Sequence, residues 1–202
     1  MATFELKRLN YNLNSVRDIL LFIEDRDFFK HPGFSIKAIT RATMSMAKLR
    51  RRSGGSTITQ QVSRTLFIHD IYKTYRRKII EIMLAIWIEK RFDKNMILWI
   101  YIAAVRFEKG IYGIASAHKY FFGDNEVPPL KNSEAFFLIE RVSNIASKVY
   151  VKKINDTLNQ MLSNDILKKE DIQDIKKIYG LMVRVGKIKV EDQHLFDEWL
   201  ME

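Results

Sequence analysis

From Thr74 to Arg91 the chain runs without a glycine or a proline, and Ile79, Met83 and Ile86 recur along it as one apolar helical face. The stretch predicts one long helix. The scarcity of breakers is general, with 3 Pro and 8 Gly in 202 residues, and it favours helices over many short strands. With 47% hydrophobic residues the chain can bury a sizeable core, and its length fits one domain. The absence of Cys excludes disulfides and thiolate metal sites.

Other elements follow from spacing. Val16, Ile19, Leu20 and Ile23 predict a helix over 12–24 that ends at Glu24-Asp25, and His31-Pro32-Gly33 breaks the chain beyond it. Ser35 can cap a second helix with Ile36, Ile39, Thr43 and Met46 on one face. Thr57 with Gln60 three residues on fits a capping box. Helices are expected over about 94–105, up to Phe121, over 133–144 and over 151–163, with Gly110 and Gly113 in a loop and Pro128-Pro129 as a break. No period-2 strand pair stands out. The expected organisation is mainly α, with one domain over 1–163 and a helical C-terminal extension of it over 164–202.

Charge is concentrated. Between Lys48 and Arg91 lie eleven Lys and Arg against three acids, so this segment carries +8 of the total +10. Such a patch suits polyanions: nucleic acid, anionic lipid or a phosphate-bearing substrate. No groove-reading or stacking motif accompanies it, so no nucleic acid is expected as a partner. No apolar run, Ile82 to Ile88 included, is long enough to span a bilayer. Phe28, Phe29, Trp87 and Trp99 read first as packing residues, with Phe28 and Phe29 alternatively at a lipid interface.

Several residues can do chemistry. Glu24 and Asp25 stand where an apolar helix ends, and a carboxylate partly desolvated there can serve as a base. Gly54-Gly55-Ser56-Thr57 leads into a helix and can turn backbone N–H groups toward an anion; an ordinary capped loop is the alternative. Arg64 lies two turns beyond Thr57. On the long helix Glu81, Ala85, Ile88 and Glu89 share one side, the two acids about 12 Å apart. Arg77 and Lys78 precede Glu81 by four and three residues, so an intrahelical ion pair competes with a site role. His69 and His118 lack partners at metal spacing, and no metal ligands are assigned.

In their order these pieces resemble the transglycosylase domain of class A penicillin-binding proteins and the monofunctional peptidoglycan transglycosylases. The first block is Glu24-Asp25-Arg26-Asp27-Phe28-Phe29-Lys30-His31-Pro32-Gly33, followed by Arg41-Ala42. The second is Gly54 to Gln61, the third Arg77-Lys78-Ile79-Ile80-Glu81 continuing to Ala85 and Glu89. A fourth is partial: Lys94, Ile97-Leu98, Tyr101, Gly110, Gly113 and Tyr120-Phe121.

The resemblance, over residues 15–160, implies a lysozyme-like α-helical glycosyltransferase domain with a small membrane-facing jaw near 30–55. It implies lipid II and a growing glycan strand as substrates at the outer face of a bacterial cytoplasmic membrane, with cell-wall assembly proteins as further partners. Glu24 is then the general base and Glu81 the second carboxylate. Asp25, His31, Gly55, Ser56, Thr57, Gln60, Gln61, Arg64, Lys73, Arg77, Lys78 and Glu89 are then substrate-binding. A divalent cation, Mg2+ or Mn2+, is the cofactor it allows, with no organic cofactor. The chain departs from the family pattern at Ser35 (usually Asp), at Ala103 (usually Asn), in the exchanged Arg64 and Lys73, and in a Pro-less stretch over 138–145. These departures leave a non-catalytic lipid-II-binding homologue as the alternative.

Overall fold

The computed structural model describes residues 14–35, 56–68, 74–123, 130–143 and 148–201. Nine α-helices and one small hairpin occur among them. In order they are α1 (Asn14–Glu24), a 3-10 turn (Phe28–Lys30), α2 (Ile58–Phe67), α3 (Thr74–Glu89), α4 (Lys94–Ala104), β1 (Arg106–Glu108), β2 (Ile111–Tyr112), α5 (Ile114–Phe122), α6 (Asn132–Ser143), α7 (Val151–Ser163), α8 (Lys169–Arg184) and α9 (Gln193–Met201). The architecture is mainly α, as expected of a lysozyme-like transglycosylase domain. The helix expected after Ser35, most of the jaw near 30–55 and the Pro128-Pro129 break lie outside the described residues.

The core forms around α6, where Ala135, Phe136, Phe137, Leu138 and Ile139 are all fully buried. A helix apolar on every side must be covered on every side. α1 covers one flank with Val16, Ile19 and Leu20, α8 another, and β1 a third. A ladder of edge-on rings, Phe121–Phe137–Tyr179–Trp199, with centroids 5.0, 5.1 and 5.9 Å apart, ties α5, α6, α8 and α9 together. Removing the central ring, Phe137→Ala, costs about 3–5 kcal/mol.

Two expectations need correction. The hairpin β1–β2 pairs Arg106 with Tyr112 and Glu108 with Ile111, antiparallel. Strands of three and two residues carry too little alternation to be read from sequence. Its exit is Gly113, at φ +77°, where a Cβ would come within 2.5 Å of the Ala103 carbonyl oxygen.

The second concerns α3. Ile79 and Met83 are 60% and 66% exposed, whereas Glu81, Ala85 and Ile88 are buried. The apolar stripe chosen from spacing is the outer one. Helical period fixes which residues share a face but not which face the tertiary structure covers. The inner face buries a carboxylate because cations meet it there. Phe28 is fully buried and packs, whereas Phe29 and Trp87 are 51% and 45% exposed.

Candidate active site

α2 is the beam on which the site is built. Its N-terminus is fixed by the expected capping box: Gln60 N–H donates to Thr57 Oγ1 (3.2 Å) and Thr57 N–H donates to Gln60 Oε1 (3.3 Å). The Ile58 N–H donates to Asp25 Oδ2 at 3.1 Å. Three amides at this helix start, those of Thr57, Ile58 and Gln60, are therefore spent on protein acceptors rather than open to an anion.

The loop after α1 is laced to this helix start. Thr57 donates its hydroxyl to the Gly33 carbonyl (2.6 Å), and His31 Nε2 lies 3.0 Å from both Asp25 oxygens. His31 Nδ1 accepts the Gly33 N–H at 3.2 Å, so it carries no proton, and Nε2–H is the donor to Asp25. Gly33 itself has φ +86°, and a Cβ there would stand 2.8 Å from Glu89 Cγ and 3.0 Å from the Ala85 carbonyl oxygen. Only glycine fits.

Glu89 closes the clasp. Its Oε1 accepts from Thr59 Oγ1 (2.6 Å) and Lys94 Nζ (2.7 Å), while Lys94 also donates to the His31 carbonyl (2.8 Å) and sits 4.4 Å from the centre of the Phe28 ring.

Along one edge of α2, Gln61 Nε2 donates to Glu24 Oε2 at 2.7 Å, and Tyr101 Oη donates to Gln61 Oε1 at 3.2 Å. Glu24 is half-buried and ends α1. Burial, reinforced by the Glu24 charge, pushes the Tyr101 phenol well above its ordinary pKa.

Along the other edge lies the charge cluster. The Glu81 carboxylate is 1% exposed. Arg77 Nε and Lys78 Nζ approach it at 3.4 Å and Arg64 at 3.8 Å. The intrahelical pairs anticipated from spacing are real, but Arg64 of another helix joins them. Lys78 Nζ also donates to Ser56 Oγ (2.9 Å) and Gln60 Oε1 (2.8 Å). Burial lowers the Lys78 pKa; Glu81 pulls it back up, and Arg64 and Arg77 lower it further. One carboxylate among three cations leaves positive charge in surplus, and the three cations are 35–43% exposed, open to an anion. The buried Gln60 Nε2 has no acceptor among the described residues.

The helix α2 therefore joins both acids singled out in the sequence, Glu24 through Gln61, and Glu81 through Arg64 directly and through Gln60 by way of Lys78. Ser63 strengthens the second link by donating to the backbone carbonyl of Glu81 at 3.1 Å. Gly55, Lys73 and His69 lie outside the described residues. His118 is fully buried beside Phe122. Sequence reasoning missed Thr59 as a site residue and used Lys94 and Tyr101 only as markers. Lys94 and Tyr101 are seven residues apart and so share a helix face, the signal that could have exposed them. Among the described residues no group of three or more His, Cys, Asp or Glu is placed to hold a metal ion. The Glu81 carboxylate does not fit a divalent cation, because three cationic side chains already surround it.

Residues 5–171 match the model of the transglycosylase family. The chain is 39% identical over 119 residues to penicillin-binding protein 4 of Bacillus subtilis, covering 58% of this chain and 18% of that protein. It is 34% identical over 153 residues to a monofunctional glycosyltransferase of Staphylococcus epidermidis, covering 76% of this chain and 56% of that one. A monofunctional glycosyltransferase of Staphylococcus aureus is 32% identical over 149 residues, covering 74% and 54%. The chain thus spans little more than half of the monofunctional relatives and less than a fifth of the penicillin-binding protein. With a family match over most of its length and this paired arrangement of acid and cations, the chain belongs to the transglycosylase family.

Proposed function

We propose that the protein is a peptidoglycan glycosyltransferase that extends glycan strands from lipid II, with Glu24 as the general base. The observation that carries the reading is the pairing on α2 of a half-buried carboxylate held by an amide with a three-cation cluster whose charge exceeds that of its single carboxylate.

The chemistry divides between the two edges. Glu24 takes the proton of the acceptor's sugar hydroxyl. The oxygen attacks the anomeric carbon of the donor strand. The bond from that carbon to the pyrophosphate oxygen breaks, its electron pair leaves with the pyrophosphate, and the anomeric configuration inverts. Arg64, Arg77 and Lys78 stand ready for the charge that develops on the leaving group, and Lys73 is expected to join them. Glu81 holds the cations in register rather than touching the anion. Any divalent cation would arrive with the pyrophosphate as part of the substrate, and no step here depends on one.

The reaction is proposed to take place at the outer surface of the cytoplasmic membrane. No helix among the described residues is long and apolar enough to cross a bilayer. What supports a surface seat is the outer face of α2 and α3. Leu66, Phe67, Ile79, Met83 and Trp87 are 41–66% exposed there, with the Phe67 and Trp87 rings 6.4 Å apart. Exposed Arg76, Lys90 and Arg91 flank them, Arg91 lying 5.3 Å from the centre of the Trp87 ring. Apolar side chains framed by cations suit an anionic bilayer.

The test is purified protein with lipid II in detergent, polymer being resolved by gel. Wild type is expected to yield glycan chains and Glu24→Gln none. Tight lipid II binding without product would instead favour the non-catalytic homologue.

A further inference from the structure

Proton removal requires the Glu24 carboxylate to be ionised and correctly aimed, and the residues around it show how that is arranged. A carboxylate only accepts hydrogen bonds, so the Gln61 amide must face Glu24 with its NH2 end. Turned over, the same amide would set its oxygen against the Glu24 oxygen at 2.7 Å, acceptor against acceptor. Glutamine has two nearly isosteric ends, and shape alone does not choose between them. The choice is made on the far side, where the phenol of Tyr101 lies 3.2 Å from Gln61 Oε1. A protonated phenol donates, and its best acceptor is the amide oxygen.

We propose that Tyr101 is a positioning residue that fixes the Gln61 amide with its NH2 toward Glu24 and so holds the base in its ionised form. The proposal rests on the reading of Glu24 as general base. Tyr101 is 1% exposed on α4, which packs along α2, so its hydroxyl is fixed in place by the core. Burial, with the Glu24 and Asp25 charges acting alongside and Arg64 against, raises the phenol's pKa, so at neutral pH it stays a donor. The relay has one direction: phenol O–H to amide oxygen, amide N–H to carboxylate. Each bond polarises the next. A hydrogen bond to the charged form of an acid favours that form, which offsets the desolvation expected in a half-buried site.

Tyr101→Phe deletes only the hydroxyl. Two readouts separate the relay from simple space-filling. In lipid II polymerisation, kcat is expected to fall about tenfold with KM little changed. The acid limb of the pH profile is expected to move to higher pH. In protein labelled with 13C at glutamate carboxyl carbons, the Glu24 resonance, identified by its loss in Glu24→Gln, is expected to titrate at higher pH in Tyr101→Phe than in wild type. Gln61→Met should shift both midpoints the same way, and Tyr101→Phe should add little to it, since both cut one chain. If Tyr101→Phe does not fold, Gln61→Met carries the test. Midpoints unmoved in folded variants would overturn the proposal, whatever the activity. A wild type that makes no polymer would overturn the glycosyltransferase reading instead, and the carboxyl titration would still decide the relay.

Discussion

Lys78 Nζ stands 3.4 Å from Glu81 Oε2, and this contact opposes the burial that lowers the lysine's pKa. A lysine carries charge below its pKa. Lys78 therefore loses its charge at lower pH than a free lysine, and kcat/KM for a pyrophosphate substrate is expected to decline on the alkaline side before the ordinary lysine range. Glu81→Gln removes the raising influence, so the decline should begin at still lower pH. Profiles of kcat/KM against pH for the two proteins check both statements. Stability runs the other way. Between the folded and unfolded pKa values of Lys78 the unfolded chain holds the extra proton, so the folded state gains stability as pH rises there.

Glu81→Gln also tests the cluster as architecture. Three cations lose the charge that gathers them. Removing one partner of a fully buried pair costs more, but these cations are each more than a third exposed, and water screens what remains. A loss of about 2 kcal/mol is expected in denaturant unfolding at neutral pH. An unchanged midpoint would mean that the carboxylate contributes nothing to holding the cations.

Glu24→Gln should leave the fold intact and lower polymerisation by at least about 10²-fold. Circular dichroism and thermal melting check the first part, and lipid II turnover the second. A variant that keeps full turnover would remove Glu24 from the chemistry.

Gly33→Ala places a methyl against Glu89 Cγ and the Ala85 carbonyl at a positive φ. The backbone conformation alone costs about 1–2 kcal/mol. The clash falls on the Glu89–Lys94 contact, so thermal stability and activity are expected to drop together.

Met83→Glu and Trp87→Glu put charge into the exposed apolar ridge. Binding to vesicles containing anionic lipid should fall strongly in flotation assays, while stability stays within about 0.5 kcal/mol of wild type for Met83→Glu and falls by about 1 kcal/mol for Trp87→Glu, which also loses the Phe67 ring contact. Retained flotation in both variants would move the membrane seat elsewhere.

Much of this was legible in the chain. The Thr57 capping box and the helix over 151–163 lie where spacing put them, because short-range rules govern both. The shared side of Glu81, Ala85 and Ile88 also followed from helical period. Which side of α3 faces inward did not, since Ile79 and Met83 look like core in isolation; Arg64, brought from another helix, makes the acidic side the inner one. Tyr101 and Thr59 escaped because their partners, Gln61 and Glu89, are 40 and 30 residues away, a proximity that only the packing of α2 against α3 and α4 creates.

One consequence follows from the position of Gln61 and Arg64 on a single helix. They are three residues apart, separated by about 4.5 Å of axial rise. Their relative placement is a property of the backbone spiral and is insulated from events in the loops. In the proposed mechanism a substitution that tilts this rod retunes proton abstraction and departing-group neutralisation at once, so an inhibitor or mutation acting on either end should be felt at the other.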